Sequence, residues 1–314
     1  MARTSRVAAS ALALFTIVAA AFALRRDAAM WSWAQISSGL DHESLSSLAA
    51  AIAFTFLSFG VLGAYDVLGC AVVVPGRIRL ATALFAGAAG NAISNTLGFH
   101  ALTGTAVRLR IYRRAGIPVG DALRLIALSW MGIGLGFVAL LSLAGLVGAQ
   151  FGVGEGATAV PTSIGLAVAL AVFLLWLSGE GRTLRLGAVR LELPSTRTGL
   201  ALVVLGAIEN GAAILALYVL LPAASAPPFL SFALSYIGAV TLGIASQVPG
   251  GIGVFEATLM SIWAGRIGAG LPIALVVYRL VYNVLPFGLA IVSLAAWEVA
   301  NAGTRRARPQ FDGG

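Results

Sequence analysis

Four ionisable residues of this chain sit inside long apolar runs: Asp66, Glu209, Glu256 and Arg279. A charge in hydrocarbon is costly, so each marks a candidate site, and each needs a partner or a wet cavity. Glu209 is central in its run. Arg279 and Asn283 are four apart, as are Tyr278 and Tyr282, so each pair shares a helix face. Arginine suits a phosphate because its planar fork donates two parallel hydrogen bonds. Arg108 follows a glycine-rich apolar stretch; it either meets a phosphodiester at the membrane surface or is a plain loop charge. Asn91, Asn95 and His100 either line a polar path or satisfy irregular backbone, and the second use is expected. Pro249-Gly250-Gly251 interrupts another apolar run. Proline lacks a backbone donor and glycine loosens a helix, so a break is expected there.

Membrane helices must position these groups. The 314 residues are 59% hydrophobic and 10% charged, with a mean hydropathy of +0.96; a soluble domain is about 25% charged. A soluble enzyme, a nucleic-acid-binding domain and a disordered chain are thereby excluded. The net charge of +8 comes from 20 basic residues, all arginine, scattered between apolar runs as in membrane loops. A lone cysteine, Cys70, excludes an intramolecular disulfide, a cysteine-based zinc site and an iron–sulfur cluster. With His42 and His100 the only histidines, no metal or cofactor is expected.

A span needs roughly 20 apolar residues to cross about 30 Å of hydrocarbon. Runs at 7–24, 46–73, 121–148, 162–178, 199–221 and 271–297 predict about six full transmembrane helices. The first follows Arg3 and Arg6 and ends near Ala21-Phe22-Ala23, as a signal peptide would. Its apolar core is longer than usual for one, so a retained span is expected. Regions 80–103 and 229–266 are different. The first carries Gly87, Gly90, Asn91, Asn95, Gly98 and His100, too polar a set for a lipid-facing helix, and the second is broken at Pro249. Broken backbone at membrane depth survives only inside protein or beside a wet cavity.

Arginine placement chooses between topologies. If every apolar region crosses once from a cytoplasmic N-terminus, 7 arginines fall inside and 12 outside, leaving Arg279 aside. If 80–103 and 229–266 each return to the side they enter, the split becomes 16 inside and 3 outside. The positive-inside rule favours two re-entrant hairpins over kinked complete helices. Both termini and the loops 108–120 and 179–198 are then cytoplasmic, and the arginine-free loops 149–161 and 222–228 external. Arg182, Arg185, Arg190 and Arg197 are expected to touch anionic headgroups. Trp31, Trp33, Trp263 and Trp297 are expected to anchor at the interface.

The predicted fold is an all-α polytopic membrane protein, one integral-membrane domain over 1–314, with pseudo-repeats 1–150 and 160–300 and a short Arg-rich cytoplasmic tail at 301–314. Each half reads span, span, hairpin, span, the second upside down. Leu62-Gly63-Ala64-Tyr65-Asp66 and Leu205-Gly206-Ala207-Ile208-Glu209 place an acid at matching positions. Inverted repeats with broken segments are a transporter architecture, with the site near the midplane.

Three stretches carry a family likeness: Gly90-Asn91-Ala92-Ile93 through Gly104-Thr105-Ala106-Val107-Arg108-Leu109-Arg110-Ile111-Tyr112 and Gly116; Pro249-Gly250-Gly251-Ile252-Gly253-Val254-Phe255-Glu256; and Tyr278-Arg279-Leu280-Val281-Tyr282 with Pro286. Together they resemble the integral-membrane domain of the lysylphosphatidylglycerol synthetase/flippase family over about residues 7–300. The resemblance implies movement of lipids between leaflets in the cytoplasmic (inner) membrane of a bacterium. It points to a stand-alone, flippase-like member, because an Arg-rich tail stands where two-part members have an aminoacyl-transfer domain.

The expected function is translocation of a phospholipid or lipid-linked intermediate, with anionic or phosphate-bearing lipids as partners, alongside a separate lipid-modifying enzyme. A lipid- or polyprenyl-linked transferase is the alternative enzyme reading, but the chain has no D-x-D motif, nucleotide loop or Ser/His/Asp set. A small-solute transporter or a scaffold is the third. Glu256 follows the break, and Arg279 lies about eight residues, roughly 12 Å, into the last span. The two reach similar depth from one face and are expected to pair.

Overall fold

A computed structural model describes residues 44–98, 100–150, 159–178, 183–186, 189–246 and 249–306. The expected first span, 7–24, lies outside them, as do Trp31 and Trp33.

The chain is an all-α polytopic membrane protein. Helix α1 (Leu45–Val73) begins at Ser44, whose hydroxyl accepts from the Ser47 N–H at 3.1 Å. That satisfies one orphan donor of the first turn. Next come α2 (Leu80–Leu97), α3 (His100–Arg114), α4 (Val119–Gln150) and α5 (Ala159–Trp176). Then follow α6 (Thr196–Tyr218), α7 (Phe229–Ala245), a 3-10 turn at Pro249–Gly251 and α8 (Val254–Ile267). Helix α9 (Gly270–Tyr278) runs through a π-helical stretch, Arg279–Val284, into α10 (Leu285–Arg306). Helices α1, α4, α6 and the α9–α10 rod are each long and apolar enough to cross a membrane. On α5 the exposed residues Ile164, Val168, Val172 and Leu175 recur at helical spacing and form a lipid-facing stripe.

The two irregular regions are hairpins. Gly104 packs on the Gly90 carbonyl and on Ser94, so α3 runs back along α2. The Arg77 guanidinium donates to the Gly116 carbonyl at 3.3 Å, which holds entry and exit at one end of the molecule. In the second pair Tyr236 of α7 meets Phe255 of α8 with ring centroids 5.3 Å apart, and Gly243 meets Gly251. Pro222, ahead of α7, touches Gly270, just past α8. The first pair opens at the end where α10 terminates, since Arg110 and Arg114 both pair with Glu298 at 2.6 Å. The second opens at the other end, where α9 begins.

Several boundaries differ from the sequence reading. The first hairpin spans 80–114, not 80–103, and turns at Gly98 (φ 73°). Its return arm contains the arginines assigned to a loop. Arg108 is 2% exposed and lies in the core, so it is neither a surface charge nor a headgroup contact at the interface. Within 179–198 the chain forms an antiparallel pair, β1 (Thr183–Leu186) with β2 (Val189–Glu192), rather than a plain loop. The last span is interrupted by the π stretch, and the tail expected at 301–314 is still α10 as far as Arg306. Trp297 packs against Phe85 and under the Arg114 guanidinium, near the helix end. The Trp263 indole N–H, in contrast, is buried without a hydrogen-bond partner among the described residues, which an interfacial anchor would not be.

Two close approaches set the bundle. Gly136 of α4 and Gly206 of α6 meet backbone to backbone, and Gly63 of α1 packs against the Leu84 backbone of α2. Association in lipid depends on such packing, because lipid tails are as apolar as the helix surfaces.

Candidate functional site where two helix breaks meet

The hairpin turns touch each other inside the bundle. A Cβ added to Gly250 would lie 3.1 Å from the Thr96 carbonyl. The second break is left-handed at Gly250 (φ 64°), Gly251 (φ 63°) and Gly253 (φ 85°), conformations that cost other residues a steric clash. This is why Pro249-Gly250-Gly251 ends one helix and lets another begin.

The new helix is capped by its own acid. Glu256 Oε2 accepts from the Gly253 N–H at 2.8 Å, and Oε1 accepts from Arg279 Nε at 2.6 Å. Arg279 also donates from Nη1 to the Gly250 carbonyl at 3.1 Å and lies over the Phe255 ring at 5.4 Å. One guanidinium thus ties together both sides of the break and the last span. The expected Glu256–Arg279 pair is present, with its side chains 9% and 15% exposed.

The π stretch faces three partners at once. A π turn carries an extra residue, so carbonyls and side chains leave the ordinary register. The Asn283 carbonyl accepts from the Thr96 hydroxyl at 3.2 Å, and its side-chain amide reaches the Asn95 carbonyl at 3.5 Å. Arg279 therefore addresses the second break and Asn283 the first, although the two residues were expected to act on one face. The Tyr282 hydroxyl lies 2.8 Å from the Ser58 hydroxyl, which donates to Glu209 Oε1 at 3.3 Å. The Tyr282 ring stacks on Tyr278 at 5.0 Å, and the Tyr278 and Tyr236 hydroxyls are 2.6 Å apart.

A separate buried cluster surrounds Asp66. Its carboxylate accepts from Tyr112 and from Ser129, each at 2.7 Å, and lies 3.5 Å from Arg108 Nε. Arg108 fits because Gly90 has no side chain: a Cβ there would lie 2.9 Å from Arg108 Cγ. Arg108 Nε and Nη2 have no hydrogen-bond partner among the described residues. Asn91 is satisfied within its own helix, donating to the Gly87 carbonyl at 2.9 Å. The side chains of His100 and Pro249 are not among those described.

The structure therefore gathers Asn95, Glu209, Gly250, Gly251, Glu256, Arg279, Tyr282 and Asn283 around the meeting breaks. It gathers Asp66 and Arg108 in the second cluster. Sequence reasoning missed Ser58, Thr96, Tyr112 and Ser129. Tyr112 stands four residues after Arg108 on one helix face, a spacing that points to a shared target. Ser58 and Thr96 give no such signal.

No protein-family model matches the chain. Over 322 residues it is 27% identical to the Uncharacterized protein slr0712 of Synechocystis sp., covering 99% of this chain and 97% of that one. Over 270 residues it is 26% identical to the Inner membrane protein YbhN of Escherichia coli (strain K12), covering 83% of each. The chain is thus a multi-pass helical membrane protein similar to an inner membrane protein.

Proposed function

We propose that this protein moves a phospholipid or a lipid-linked intermediate between leaflets, as a flippase-like relative of the lysylphosphatidylglycerol synthetase/flippase family. The observation that supports the reading most is the pair of helix breaks that enter from opposite ends, meet at Thr96 and Gly250, and are latched by Arg279 and Glu256. Non-helical backbone at membrane depth lines sites in transporters, where freed carbonyls and helix ends face the substrate. In the resting state Glu256 Oε1 and the Gly250 carbonyl share the Arg279 fork. An anionic headgroup offers that fork two oxygens at once, so binding releases Glu256 and loosens the second hairpin while the acyl chains stay in lipid. The two halves then act as inverted pseudo-repeats. Both termini and the open end of the first hairpin face the cytoplasm, and a separate enzyme makes the lipid.

The test is translocation by the purified full chain in vesicles carrying an acyl-labelled phosphatidylglycerol. A membrane-impermeant reductant bleaches only outer-leaflet dye in empty vesicles and is expected to bleach nearly all of it once the protein is present. Arg279→Gln should return bleaching to the empty-vesicle level. Equal bleaching with and without wild-type protein would sink the reading.

A further inference from the structure

The buried charges of this bundle do not all balance in the same way. Asp66 has Arg108 at 3.5 Å and Glu256 has Arg279 at 2.6 Å. Glu209 is also buried, at 7% exposure, but has no ion-pair partner among the described residues; its contacts are the Ser58 and Tyr282 hydroxyls. An uncompensated carboxylate inside a membrane costs several kcal/mol, which a proton removes.

From this geometry we infer that Glu209 is a proton-binding site that loads and releases during the protein's cycle. The inference deepens the translocation reading by supplying its energy source, and rests on that reading only for the coupling. The step is simple. A proton from water forms an O–H bond to a Glu209 carboxylate oxygen, and the same bond breaks to return the proton to water. A hard divalent cation is a poor fit, since it takes six or more oxygens and this site offers one carboxylate with a Ser58–Tyr282 hydroxyl pair.

The surroundings suit a group that changes state. The Ser58 and Tyr282 hydroxyls, 2.8 Å apart, both reach Glu209, and Tyr282 lies in the π stretch, three residues from the Arg279 latch. Tyr65, 0% exposed and within electrostatic reach of Glu209, carries a hydroxyl with no partner among the described residues. Among the described residues, the other titratable groups that interact with Glu209 are Tyr236 on α7 and Tyr282 in the last span, while Asp66 on α1 is held by Arg108. Helix α5, and α4 beyond Arg124, have none.

Infrared difference spectra of the full-length protein in lipid, recorded while bulk pH is stepped, read the acid directly. A protonated carboxylic acid has a carbonyl stretch that a carboxylate lacks. Wild type is expected to show such a band, fading as pH rises, which Glu209→Gln removes and Glu256→Gln keeps. In the vesicle assay an imposed pH gradient should change wild-type lipid translocation several-fold and leave Glu209→Gln unaffected. A titrating Glu209 band with no lipid movement upholds the proton site and overturns the translocation reading. Lipid movement with no Glu209 band, or with a band that ignores pH, overturns the proton site alone.

Discussion

Arg108 lies 3.5 Å from Asp66 without hydrogen-bonding it, and the pair is all but sealed, at 2% and 0% exposure. The partners are unequally supported. Asp66 keeps two hydroxyl donors, Tyr112 and Ser129, if the arginine is removed, whereas Arg108 has two nitrogens already idle. Breaking a buried pair by removing one partner costs about 3–5 kcal/mol. Asp66→Asn should fall at the upper end of that range and Arg108→Met nearer the lower. The double variant should be more stable than Asp66→Asn alone. Thermal unfolding in detergent gives the order, and equal losses from the two single changes would contradict this account.

Glu256 and Arg279 should be energetically coupled. Both also serve the break individually, Glu256 at the Gly253 N–H and Arg279 at the Gly250 carbonyl. Each single replacement should therefore destabilise, and a double-mutant cycle should return a coupling of about 1–3 kcal/mol. The swap Glu256→Arg with Arg279→Glu should recover only part of it, because neither exchanged side chain can remake the backbone contact. Strictly additive losses in the melting measurement would mean that the latch does not exist.

Spans were legible wherever hydropathy alone decides. The expected 46–73 and the observed Leu45–Val73 differ by one residue, because burying a long apolar run needs no tertiary information. The second break was legible for a similar reason: proline and positive-φ glycines act locally. The first hairpin was cut short at 103 because its return arm is polar. Arg108 is tolerable there only through Asp66, a partner 42 positions away that no local window contains. The π stretch also escaped, since its extra residue is stabilised by Thr96 and Ser58 from other helices. The strand pair at 183–192 was readable, as Leu184, Leu186, Val189 and Leu191 alternate with charged neighbours around Gly187-Ala188. The arginines there drew the reading toward a loop.

The Gly136–Gly206 contact should be among the least tolerant positions. An added Cβ on either glycine would run into the other's backbone, so α4 and α6 must separate. Core overpacking typically costs about 1–3 kcal/mol. Gly136→Ala and Gly206→Ala should each lower the detergent melting temperature and the folded yield. Gly60→Ala has nothing within 4 Å and serves as the control; it should leave both unchanged or slightly improved. A Gly136→Ala protein that melts with the control would show that the two helices are not this close.

The two hairpins should open to opposite sides of the membrane. Arg77 holds the Gly116 carbonyl, and Glu298 holds Arg110 and Arg114, so one cluster of arginines marks the first hairpin's open end. Removing the buried Arg108 from the loop count leaves the arginine bias strongly lopsided toward that end. The positive-inside rule then sets it in the cytoplasm. The second hairpin opens beside the 222–228 segment, which has no arginine. Single cysteines test this in a Cys70→Ser background, with Ala115→Cys at one end and Ala224→Cys at the other. In intact cells a membrane-impermeant thiol reagent should label position 224 and spare 115, which becomes reactive only after permeabilisation. Labelling of both positions from outside would place the two open ends on one face, contrary to the antiparallel arrangement. Labelling of 115 alone would keep the fold but invert its orientation, and with it the direction from which a lipid first meets Arg279.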